Sequence, residues 1–167
     1  MPFEKTLWYK RFRAAACLNA IVWMVWTVVI LAPFVPFSYL QPIMIGGGAG
    51  SWFLLGYLLF PIVAIGGFAG ISSLVFVIET YERRMINCGV MLTGLAMLYA
   101  GVLVGCLLLA MAGASGGYAL TIQRSAVNTA QDLLSPYVGP ITVASLVAVA
   151  GTGLTIYGMA TAKASKP

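Results

Sequence analysis

From residue 14 to residue 78, and again from 85 to 123, the chain contains no Asp, Glu, Lys, Arg or His. Uncharged stretches of this length have no stable place in a small soluble domain. Composition points the same way: 61% of the 167 residues are hydrophobic, 8% are charged, and the mean hydropathy is +0.98. A soluble domain carries about a quarter charged residues, so this chain lacks the polar surface to remain in water. Only helices and closed barrels satisfy backbone hydrogen bonds inside lipid. Barrel strands alternate in polarity over about ten residues, whereas the apolar runs here are long and continuous. The expected fold class is all-α: one membrane domain, a four-transmembrane-helix bundle.

The first span is expected at residues 14–33, ended by Pro33 and Pro36, which lack the donor a helix needs. Ahead of it, Phe3, Trp8, Tyr9 and Phe12 mix with Lys5, Lys10, Arg11 and Arg13, the pattern of an interfacial segment. The apolar run exceeds the 7–15 residues of a signal-peptide core, so an uncleaved span is expected. Residues 34–51 are uncharged and carry Gly46, Gly47 and Gly48, marking irregular chain that folds back on the bundle or packs under a partner. A second span at 52–78 is long for a bilayer, with Pro61 as its natural kink site. A charged turn follows. The third span is placed at 88–112, a short amphipathic helix in the outer connection at 118–135 stopped by Pro136, and the fourth span at 138–160.

Eight of the nine basic residues lie at the ends or in the turn between spans two and three. These are Lys5, Lys10, Arg11, Arg13, Arg83, Arg84, Lys163 and Lys166, with Arg124 alone in the other connections. Positive residues stay cytoplasmic in short loops. The expectation is N-in/C-in, in the cell (cytoplasmic or inner) membrane.

Chemistry within this chain has little to work with. Histidine, the commonest ligand of haem and catalytic metals, is absent. Cys17, Cys88 and Cys106 fit no metal or disulfide pattern. Ser72, Ser73 or Cys106 as nucleophile would need a base within reach, and the spans carry no carboxylate at mid-depth for proton coupling. No catalytic, cofactor or metal residues are therefore expected, and nucleic acid is excluded because the basic residues flank spans instead of forming a patch. Glu79 and Arg83, four apart, suggest an interfacial ion pair, with a gating or proton-entry role for Glu79 as the other reading. Trp23 and Trp26 share a face: they either contact lipid or quinone or serve as interhelical bulk. Gly66/Gly70 and Gly101/Gly105 have the spacing that lets helices approach closely.

The stretch Gly50-Ser51-Trp52-Phe53-Leu54-Leu55-Gly56-Tyr57, followed by a charged turn and an amphipathic outer segment, resembles small four-helix membrane proteins that accompany archaeal terminal oxidases and similar respiratory complexes. That resemblance implies a role beside a haem–copper catalytic subunit, with haem and copper on the partner chain, and it transfers no functional residue. Two functions of different class stand on the sequence. One is a non-catalytic structural or assembly subunit of a multi-subunit energy-converting complex, whose partners are other membrane subunits and lipids. The other is a self-assembling channel or carrier for a neutral solute or lipid.

Overall fold

The computed structural model describes residues 7–164, so the start of the interfacial segment and Lys166 lie outside the described residues. The chain is mostly helical, with four helices long and apolar enough to cross a membrane. They are α1 (Trp8–Leu31), α3 (Gly50–Tyr81), α4 (Cys88–Thr121) and α5 (Val127–Ala160). A short α2 (Leu40–Ile45) lies between the first two. Two strands of two residues, β1 (Arg84–Met85) and β2 (Lys163–Ala164), pair antiparallel with Met85 opposite Lys163.

Helix lengths exceed the sequence expectation, most of all at the end away from the basic residues. At 1.5 Å per residue the 34 residues of α4 extend roughly 50 Å, against a hydrocarbon core of about 30 Å. Residues 118–135 do not form a separate amphipathic helix: 118–121 close α4 and 127–135 open α5. Two local facts explain the difference. Gly113, Gly116 and Gly117 face close neighbours (Phe53, Ala49 and Gly50) and so belong to a packed helix, although in sequence they resemble a loop. Pro136 and Pro140 lie inside α5 without ending it, as prolines in membrane helices can when neighbouring groups take up the freed carbonyls.

α1 begins at Trp8, six residues before the expected start, and ends before Pro33. The connection after it folds back on the bundle. Ile43 of α2 is buried against Gly50 and Gly117, while Gly47 and Gly48, with φ of 71° and 56°, make the turn into α3 that a side chain would strain. α3 runs through Pro61 without a break. From Phe60 to Gly67 it widens to a π-helix, a geometry that accommodates the missing N–H and the ring of a proline near its start. α4 is capped by Asn87, whose Oδ1 accepts from the amides of Gly89 (3.0 Å) and Val90 (3.4 Å).

Packing follows chain order: α1 on α3, the first half of α3 on α4, and α4 on α5. The central core gathers Trp8, Phe12, Phe60, Phe68, Val75 and Met91. The Phe68 ring lies 6.1 Å from Phe12 and 5.9 Å from Tyr99, edge to face with the latter. A second cluster near the far end joins Ile30, Phe53 and Ala110. Valines and leucines such as Val25, Val28 and Leu146 remain exposed along the outside, as lipid-facing positions do.

Candidate functional site

Between α1 and α3 lies a polar-aromatic cluster. Trp23 stacks on Tyr57 with ring centroids 5.7 Å apart, and Trp26 meets Phe53, Tyr57 and Phe60 edge-on. Thr27 Oγ1 donates to the Trp23 carbonyl at 2.8 Å. Its single proton is thereby used, so the Tyr57 hydroxyl donates to Thr27 Oγ1 at 2.9 Å. One turn toward the basic end, Asn19 is buried and its Nδ2 donates to the Ala64 carbonyl of the widened α3 segment at 2.8 Å. Trp23 Nε1 is the only buried side-chain nitrogen or oxygen without a partner among the described residues. Both tryptophans pack against rings from α3 while remaining partly exposed.

The glycines divide into two sets. In the α4–α5 seam, a Cβ on Gly101 would lie 2.5 Å from Ala148 N and 2.7 Å from the Ala144 carbonyl, and Gly94 and Gly151 are equally closed by Thr155 and Leu98. Gly105 is looser, with Ala144 Cβ at 3.7 Å. In the α3–α4 seam, Gly56 and Gly113 meet Cys106 and Phe53. By contrast, Gly66, Gly67 and Gly70 on α3 are exposed, and a Cβ there would touch no other helix. Among the described residues the pair Gly66/Gly70 therefore meets no other helix, whereas Gly101 does. Gly94, Gly151 and Gly158 were missed as packing positions. Their signal is the seven-residue recurrence Gly94/Gly101 and Ala144/Gly151/Gly158, which keeps small residues on one face.

Glu79 does not pair with Arg83. Its carboxylate accepts from the backbone amides of Trp8 (3.0 Å) and Tyr9 (3.3 Å), the first turn of α1. Residues Val77–Tyr81 are π-helical and the helix ends before Arg83, whose φ is 51°; the i,i+4 spacing presumed by the sequence is lost. The ion pair present among the described residues joins Glu82 to Arg84 at 3.1 Å. Ser72 Oγ donates to the Tyr9 carbonyl at 2.8 Å and Ser73 Oγ to the Ala69 carbonyl at 3.1 Å, so both hydroxyls act as helix contacts. Among the described residues no three His, Cys, Asp or Glu side chains gather to hold a metal, and Cys17, Cys88 and Cys106 are free thiols.

No family model matches the chain, nor does any curated protein or solved structure. What the fold and these contacts define is a class: a polytopic helical bundle, with four helices fit to cross a membrane and interhelical contacts built from glycine, aromatic rings and single hydrogen bonds.

Proposed function

We propose that the chain is a non-catalytic structural subunit of a larger membrane complex, inserted N-in/C-in, whose unpaired helix faces pack against other subunits. The observation that carries this reading is the second set of glycines. Helix-facing glycines in α4 and in the first half of α3 are consumed by neighbours within the chain, yet Gly66, Gly67 and Gly70 meet no other helix among the described residues. α5 gives support of the same kind. In its most apolar stretch only 6% of residues are buried by the rest of the chain, against 39% for α4, and Gly139 and Gly153 on it are open as well. Without a hydrophobic drive between helices in lipid, small residues that permit close backbone approach are a principal means of association.

The resemblance to accessory chains of terminal oxidases nominates an energy-converting complex as the first assembly to examine, with haem and copper carried by partner chains. The test is extraction of native membranes in mild detergent, separation on a native gel, and mass spectrometry with optical spectra of the same band. Co-migration with larger pigment-bearing subunits is the expected result. A colourless homo-oligomer that conducts a neutral solute in liposomes would overturn it in favour of a channel or carrier.

A further inference from the structure

At the end of the molecule where the basic residues collect, a surface groove of about 350 Å³ runs along the seam of α1 and α3. Its floor is Ala16 and the buried Ser72, its sides are Cys17, Ala20 and Ala69, and Arg13 stands at its rim. We propose that this groove is a binding site for an anionic phospholipid of the adjoining leaflet, with the phosphate on Arg13 and one acyl chain lying between α1 and α3.

Charge and depth single out that occupant. Several charged groups at this end are engaged: the Arg11 guanidinium lies 4.5 Å over the Trp8 ring, Arg84 pairs with Glu82, and Glu79 is held by the start of α1. Of the exposed basic residues Lys10, Arg13, Arg83 and Lys163, it is Arg13 that lines the groove. Arg13 makes no ion pair among the described residues and is exposed. It stands five residues inside α1, about 8 Å from the helix start, a depth at which a long basic side chain reaches the headgroup layer while its stem stays in hydrocarbon. Below it the Ser72 and Ser73 hydroxyls are committed to backbone carbonyls, leaving only the weakly donating thiol of Cys17. A wall of Ala16, Ala20 and Ala69 suits a methylene chain and offers nothing to a second headgroup. The groove runs from Arg13 to Ala20 along α1, roughly 10 Å. Basic pockets between helices at a membrane face are a recurrent means of holding acidic lipid.

Native mass spectrometry of the purified full chain, titrated with phosphatidylglycerol or phosphatidylcholine, tests this. Phosphatidylglycerol adducts should dominate and fall about fivefold in Arg13→Gln, the effect expected of one basic residue at an anionic surface. Lys163→Gln removes the same charge at the same end outside the groove and should leave them unchanged. Ala69→Leu fills the groove without altering charge and should also lose the adduct, with circular dichroism reporting that the helices remain. Equal retention of the two lipids, an equal loss in Lys163→Gln, or full retention in Ala69→Leu would each overturn the site.

Discussion

The amide of Trp8 donates to the Glu79 carboxylate at 3.0 Å, joining positions 71 residues apart at one end of the bundle. Leu7, the residue in the N-cap position of α1, supplies no side-chain acceptor. Glu79 supplies it from another helix, and a negative charge there also meets the positive end of the α1 dipole.

Replacing Glu79 with Ala should therefore destabilise the protein by about 1 kcal/mol, the usual worth of a helix cap. Glu79→Gln keeps an acceptor and should lose less. SDS-induced unfolding in mixed micelles measures both, and a Glu79→Ala midpoint equal to wild type would refute the cap.

The two glycine sets predict opposite outcomes for the same chemical change. Gly101→Ala drives a methyl into Ala148 and Ala144 of α5 and should cost about 1–3 kcal/mol by overpacking. Gly70→Ala enters open space and should shift monomer stability by less than about 1 kcal/mol. In native membranes the order should reverse at the level of assembly: Gly70→Leu, harmless to the isolated chain, should reduce its recovery in any larger complex.

Asn19 holds α1 to the widened part of α3 through one hydrogen bond of 2.8 Å. Asn19→Ala should cost about 1 kcal/mol, within the range for interhelical hydrogen bonds in membranes. Faster amide exchange between Phe60 and Gly67 would accompany that loss if the bond stabilises the π segment; unchanged exchange and unchanged unfolding would argue that it does not.

Orientation is open to direct chemistry. With Cys17, Cys88 and Cys106 replaced, an impermeant maleimide applied outside intact cells should label Arg124→Cys and spare Lys163→Cys. The reverse pattern would invert the topology. Oxidative cross-linking of Met85→Cys with Lys163→Cys should succeed in either case, because these residues face each other across β1 and β2.

Four spans were legible because long uncharged runs admit few other folds, and the spans at 52–78 and 88–112 lie wholly within α3 and α4. The far ends were misjudged for a definite reason. Glycine and proline signal loops in water, but Gly113 and Gly117 mark where α2 and α3 press on α4, and Pro136 is carried inside a helix. Side-chain partners were less legible still. Spacing revealed that Gly66/Gly70 and Gly101/Gly105 were fit for close approach, yet only the three-dimensional arrangement distinguishes an occupied glycine from an open one. The Glu79–Arg83 pair failed because the helix closes in a π turn at Tyr81 and Arg83, at a φ of 51°, lies beyond it.

The order in which the helices pack bears on how the protein is made. α3 rests on α1, α4 on α3 and α5 on α4, and β2 closes onto β1. Each spanning helix after the first thus finds a neighbour already in the bilayer, although β1 must wait for β2 and the first turn of α1 for Glu79. Assembly can advance in step with synthesis. The last helix inserted is also the one that presents the most uncovered surface, so recruitment of a partner through α5 would follow only once the rest of the chain is in place.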